Sequence, residues 1–301
     1  MMTMHLLFCS DPLTPNRPDP AWEDEVQAAS QAGLSWSVLN FEALLEGNPA
    51  RAIRRVAVAA AEAGETVLFR GWMLRPEGYK SLYNALLERN LQLVNTPSAY
   101  RLCHYLPEGY PYLANHTPRT VWLPLTGELD VDALMARLAE FGHSPLVLKD
   151  YVKSAKHAWH EACFIPAASD RSAVERVVRR FLALQGKDLS VGLVFREYVE
   201  LAGTDPARPW EWRIFFLDNA PLMVTDYWNT GIAVPEQAAL APFIELARAI
   251  PSRFFTLDIA QKRSGEWVII EMGDGQVSGL PQGVSEVEFY QKLSEQLQQR
   301  R

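Results

Sequence analysis

Cysteine is scarce in this 301-residue chain: Cys9, Cys103 and Cys163 are odd in number and far apart. That excludes a disulfide framework and the paired spacing of a zinc or dithiol site, and it suits reduced, partly buried thiols in a cytoplasmic protein. No uncharged apolar run is long enough to span a bilayer. The opening Met1 to Cys9 has no basic leader and too short an apolar run for a signal peptide. Basic charge is in deficit, with 29 Lys and Arg against 36 Asp and Glu and a net charge of −7. That argues against nucleic acid as the main partner, as does the lack of a Lys-x-Asp-Gly adenylation motif. No repeat or low-complexity tract stands out, and no glycine-rich dinucleotide fingerprint follows the first strand. What remains is ordinary: 48% hydrophobic and 22% charged residues, enough for a substantial core in two or three lobes.

Residues 4 to about 95 alternate between short apolar runs and helical spacing, the rhythm of a parallel α/β unit. Strands are expected at His5–Cys9, Ser35–Leu39, Thr66–Phe69 and Leu91–Val94. Helices are expected at Trp22–Ala32, from Asn48-Pro49 to Gly64, and from Pro76 to Asn90. Ligands of such sheets gather at the carboxyl ends of strands, which draws attention to Ser10, Asp11 and Arg70-Gly71-Trp72. Arg70 is either a pocket residue or a surface arginine at a strand end, the second being the simpler reading.

Residues 95–124 are rich in Pro, Tyr and His, with a short helix near Ser98–Tyr105 and little periodicity afterwards. His104, His116 and His143 have no ligand-like spacing. A helix from Glu128 to Phe141 precedes a strand at Pro145–Lys149, a loop, a return strand at Phe164-Ile165, and a helix from Ser169 to Gln185. Lys149, Lys153 and Lys156 fall within eight residues at the end of that first strand, with Ser154 among them. They form a positive cluster suited to phosphate, the lysines as point charges and Ser154 and backbone N–H groups as donors. The competing reading is an edge strand guarded by lysines, which suits mid-strand positions better than a turn.

Val191–Leu201 is a long apolar strand. Trp210–Leu217 and Pro221–Thr225 form a hairpin through Asp218-Asn219-Ala220. Arg213 lies inside the first of these strands and, being costly to bury alone, has either an acidic partner or an anionic ligand. After a Pro235–Ile250 helix, two apolar strands flank Ser264-Gly265. A two-residue loop there pairs Arg263 with Glu266 and sets Asp258 opposite Glu271. Two facing carboxylates repel unless a hard divalent cation such as Mg2+ lies between them. A one-residue slip of register would separate them. A helix from Val284 to Arg301 ends the chain.

The order of these pieces is similar to that of the ATP-grasp superfamily of carboxylate–amine ligases. A lysine-bearing strand and loop come first, then Arg-Glu-Tyr-Val-Glu at 196–200, Glu-Trp-Arg-Ile-Phe-Phe-Leu at 211–217, Leu-Asp-Ile-Ala at 257–260 and Gly-Glu-Trp-Val-Ile-Ile-Glu at 265–271. The resemblance covers about residues 95–285, to a poorly characterised branch. It implies an α/β chain, α+β in its C-terminal half. A Rossmann-like pre-ATP-grasp domain would occupy residues 1–120, a small lobe 121–196 and a large lobe 197–301. The expected cofactors are ATP and Mg2+. Lys149 would contact ATP phosphates, with Lys153, Ser154 and Lys156 in the covering loop. Glu197, Tyr198 and Val199 match the adenine hinge, Glu200 the ribose position, Arg213 the arginine at the transferring phosphoryl group, and Asp258 and Glu271 the metal carboxylates. Gly273 stands where the family often has Asn, so either Asp274 supplies that ligand or one metal is held less tightly. Arg101 is the nearest basic residue to the family's first ATP lysine. The implied reaction joins a small-molecule or peptide carboxylate to an amine through an acyl phosphate. The alternatives are phosphoryl transfer on the same scaffold and a non-catalytic ATP-binding adaptor.

Overall fold

The computed structural model describes residues 4–57, 59, 64–205 and 207–299. Strands β1 (Met4–Cys9), β2 (Trp36–Leu39), β3 (Glu65–Arg70) and β4 (Leu91–Leu93) form a parallel sheet in the order β2-β1-β3-β4. Leu6, Leu7, Phe8 and Cys9 are all fully buried, as expected of a central parallel strand covered on both faces. The Glu23–Gln31 helix stops before Gly33, whose φ of +75° suits glycine. The long helix expected after Asn48 is helical only over Pro49–Ala52, capped by the Asn48 side chain. Turns follow at residues 53–55, and residues 58 and 60–63 of that expectation lie outside the described residues.

The second sheet is antiparallel, with β5 (Thr120–Pro124), β6 (Leu146–Asp150), β7 (Phe164–Ile165) and β8 (Gly192–Glu197) in the order β5-β8-β6-β7. β5 and the Leu106–Leu113 helix, which contains Pro111, fall in the stretch where no periodicity shows. The pairing of β5 with β8 decides its conformation. A Cβ at Gly192 would lie 2.3 Å from Leu123 O, so only glycine permits this approach. The Arg171–Gln185 helix follows its sequence pattern closely. Asp170 caps it by accepting from Ala173 N–H, and Val174, Val177, Val178 and Phe181 are buried on one face.

The third sheet runs β10-β9-β11-β12, with β9 at Glu211–Leu217, β10 at Ala220–Asp226, β11 at Phe254–Gln261 and β12 at Trp267–Asp274. Asp218 and Asn219 have φ of +50° and +65°, the two left-handed residues of a type I′ turn.

The chain forms two compact units. One comprises residues 1–103, 210–259 and 271–301, the other residues 104–209 and 260–270. In the first, the parallel sheet and the β9–β12 sheet share one apolar core that includes Leu6, Phe69, Phe215, Phe254 and Phe289. Arg70, at the end of β3, is neither on the surface nor in a pocket. It is fully buried and donates to both Glu25 oxygens, at 3.0 and 2.9 Å, and to Gly275 O and Ser278 O at 2.6 and 2.8 Å. Tyr290, on the Glu286–Gln298 helix, donates to Glu25 at 2.6 Å. Among the described residues no helix is long and apolar enough to cross a membrane.

Candidate functional site

Arg213 lies mid-strand in β9 and finds its acid in the neighbouring strand. Its Nε donates to Asp258 Oδ1 and its Nη2 to Oδ2, each at 2.7 Å, and its Nη1 donates to Gly279 O at 2.9 Å. The side chains are only 13% and 3% exposed, so this is a buried bidentate pair. The Tyr227 ring covers the guanidinium, 4.8 Å from centroid to Cζ. Burial works to discharge Arg213, but the Asp258 carboxylate outweighs it and Glu271 adds to the effect, so the proton is held more tightly than on a free arginine. The charges of Asp258 and Glu271 thus converge on one cation.

The hairpin carrying these acids closes differently from the two-residue loop expected. Lys262 N–H donates to Glu266 O at 2.8 Å, and Gly265 N–H donates to Lys262 O at 2.9 Å with Gly265 at φ +90°. This is a three-residue loop with a glycine bulge, and Lys262, not Arg263, faces Glu266. Counted from that pair, Asp258 would face Ile270. At the base of the hairpin Gly275 N–H donates to Phe254 O at 3.0 Å, and counting from there brings Asp258 level with Glu271. One residue of irregularity along the strands absorbs the difference.

Asp274 follows Glu271 at an odd spacing, which turns it to the other face of the strand. It is 1% exposed. Its Oδ2 accepts from Asn95 at 2.6 Å, and its Oδ1 accepts from Gln276 N–H and Nε2 at 2.9 and 3.1 Å. Burial pushes its pKa up to about 6, against these donors. Among the described residues no three His, Cys, Asp or Glu side chains converge to hold a metal ion, so Asp274 does not complete a set with Asp258 and Glu271. At Gly273 a Cβ would lie 2.7 Å from Ser278 Oγ and 2.9 Å from Thr256 Oγ1. Those hydroxyls, 3.0 Å apart, fill the space that an asparagine there would need.

In the second unit Lys149 is buried near the end of β6, and its backbone bridges to that of Ser154. The tight loop between them is held by Asp150, a residue whose role the sequence reading missed. Its Oδ1 accepts from the N–H groups of Val152 and Lys153, and its Oδ2 from Ser190 N–H. Lys153 and Lys156 are exposed. Burial pushes the Cys163 thiol up to about 11 while Lys156 and Lys149 both pull it down, which places the two lysines around one point.

The hinge residues are fixed by the same unit. Glu197 accepts from Ser144 Oγ at 2.9 Å and from Arg119 at 3.3 Å, and Tyr198 N–H donates to Pro145 O at 2.8 Å. The Tyr198 ring meets Phe164 and Trp159, whose rings stack on each other. Val199 continues the chain beyond β8, and Glu200 O accepts from Arg263 N–H at 3.0 Å. Arg101 is exposed on the Pro97–His104 helix of the first unit. Arg196 was legible only as part of a motif. It donates to the carbonyls of Ile269 and Ile270, the two residues before Glu271, and to Thr117 Oγ1.

Residues 140–293, just over half of the chain, match the sequence profile of an ATP-grasp domain family, the third family of its clade. The chain belongs to that family. Among solved structures, the fold is similar to that of a RimK domain protein ATP-grasp from Sphaerobacter thermophilus, at a TM-score of 0.61 and 14% identity over 97% of this chain and 98% of that one. It is also similar to the D-cycloserine synthetase DcsG, with a TM-score of 0.58, 15% identity and coverage of 98% and 99%. The ATP-grasp ligase PsnB, complexed with minimal precursor, Mg and ADP, gives 0.58 at 13% identity over 100% and 98%. These likenesses bear on the fold. No curated protein sequence matched.

Proposed function

We propose that this chain is an ATP- and Mg2+-dependent ligase that activates a carboxylate as an acyl phosphate and joins it to an amine. The observation that carries the reading is the convergence of Asp258 and Glu271 on Arg213, inside the segment that matches the family. The guanidinium is a stand-in cation, and it marks the place as one where positive charge is stabilised. Two carboxylates are donors that suit Mg2+, with Asp258 and Glu271 as its ligands and Asp274 as an anchor of the strand end. Lys149, Lys153, Ser154 and Lys156 would hold the phosphates of ATP, which supplies the phosphoryl group. Glu197, Tyr198 and Val199 would border the adenine, Glu200 the ribose, and Arg101 is a further phosphate contact. In this reading residues 1–120 are the preceding domain, 121–196 the small lobe and 197–301 the large lobe.

The chemistry asks the protein mainly to manage charge. A carboxylate oxygen bonds to the γ-phosphorus as ADP leaves. The amine nitrogen then attacks the acyl carbon, phosphate leaves, and the nitrogen loses a proton. Arg213 and the lysines offset negative charge on the phosphoryl oxygens and align the attack, while the loop around Lys153–Trp159 excludes water from a hydrolysable intermediate. Peptide and amino-acid acceptors are the substrates to try first, since PsnB is described with a precursor peptide.

The test is ADP release by the purified chain with Mg-ATP and a pool of amino acids and short peptides, compared with Glu271→Ala. Substrate-stimulated release that Glu271→Ala abolishes supports the reading, and the product mass separates an amide from a phosphorylated acceptor. Absence of nucleotide binding would sink it.

A further inference from the structure

Asp258 gives both oxygens to Arg213, so it cannot serve a divalent cation and keep both bonds. The guanidinium has two other contacts that do not involve Asp258: Gly279 O, 2.9 Å from Nη1, and the face of Tyr227, 4.8 Å from Cζ. Tyr227 is itself held firmly. Its N–H donates to Glu211 O at 2.9 Å. The preceding Asp226 accepts from Trp228 N–H, Thr230 Oγ1 and Gly231 N–H at 2.9–3.1 Å, which fixes the loop just beyond the ring. Further along, a Cβ at Gly283 would lie 2.7 Å from the Asn229 side chain, so this loop also packs closely against the 281–283 turn.

A ring face attracts net positive charge through its quadrupole, and the attraction grows when the cation is desolvated. A guanidinium neutralised by a carboxylate feels it less than one that has lost that partner. The Tyr227 contact therefore favours the state in which Arg213 is released from Asp258 over the state in which it is bound. Resting on the Mg2+ reading above, we propose that Tyr227 is a positioning residue for Arg213. Its ring retains the guanidinium at the site when Asp258 is given over to a divalent cation, so that the displaced charge does not swing into solvent.

Mn2+ binding to the full chain, followed by electron paramagnetic resonance without nucleotide, tests this in a double-mutant cycle. The proteins are the wild type, Tyr227→Leu, Tyr227→Phe, Arg213→Met and Arg213→Met/Tyr227→Leu, each verified as folded by circular dichroism. Arg213→Met removes the competing cation and is expected to tighten Mn2+ at least about ten-fold. Tyr227→Leu should weaken it about five-fold in the presence of Arg213 and have no effect in the Arg213→Met background. Tyr227→Phe keeps the ring and should stay within about two-fold of wild type. An equal loss in both backgrounds, no loss in either, or a Phe variant as weak as the Leu variant would overturn the role of Tyr227 while leaving the metal reading intact. Folded proteins that bind no Mn2+ in any variant would overturn both together.

Discussion

Arg213 and Asp258 meet through two parallel hydrogen bonds of 2.7 Å across neighbouring strands, almost out of contact with solvent. Neither charge has much water to fall back on. Removing one partner should therefore cost more than removing both, and Arg213→Met is expected to lower stability by about 3–5 kcal/mol. The double variant Arg213→Met/Asp258→Asn should recover most of that loss in urea unfolding. A double variant as unstable as the sum of its singles would contradict the pairing.

Asp274 makes stability depend on pH. Burial raises its pKa from 3.8 in the unfolded chain to about 6 in the folded one. The folded state then binds the proton more tightly, so the contribution favours folding below pH ~4 and is lost as pH rises through ~6. The stability difference between wild type and Asp274→Asn should fall by about 3 kcal/mol between pH 4 and 7. Urea unfolding across that window measures it, and a flat difference would refute the burial argument.

Asn95 is fully buried and serves four partners. It accepts from the N–H groups of Arg253 and Phe254, both at 3.0 Å, and donates to Phe254 O and Asp274 at 2.7 and 2.6 Å. Asn95→Ala leaves several buried polar groups without a partner and should cost at least about 3 kcal/mol. Asn95→Asp places a second carboxylate beside Asp274, and its thermal stability should be worse at pH 8 than at pH 5. Equal melting shifts at both values would count against the contact.

The thiols should be inert in the native protein. Cys9, Cys103 and Cys163 are buried and unpaired with one another, and burial pushes Cys9 up to about 12 and Cys163 up to about 11. Alkylation at pH 7.5 is expected to label none of them until denaturant is added, and then all three. Mass spectrometry decides it, and a native adduct on Cys163 would mean that its two lysines outweigh its burial.

Much of the local structure could be read from residue order. Apolar runs marked β1 to β4, helical spacing marked the Arg171–Gln185 helix with Asp170 as its cap, and Asp218-Asn219 marked a hairpin turn. These features depend on neighbours in sequence, so propensity and periodicity reveal them. β5 was invisible because its conformation is set by pairing with β8, far along the chain. The expected helix after Asn48 reduced to one turn at Pro49–Ala52, with its later residues outside the described ones.

The candidate site divides in the same way. Sequence alone determined that a buried arginine at 213 needed an anion and that Asp258 and Glu271 belonged to one hairpin, because strand parity and the cost of buried charge are local arguments. Only the tertiary structure decided that Arg213 takes Asp258, that Asp274 turns inward to Asn95, and that Arg70 is sealed against Glu25 and Tyr290. Those choices join residues 45 to 265 positions apart. At such separations the partner of a charge is fixed by how strands and helices pack, not by anything written beside it in the chain.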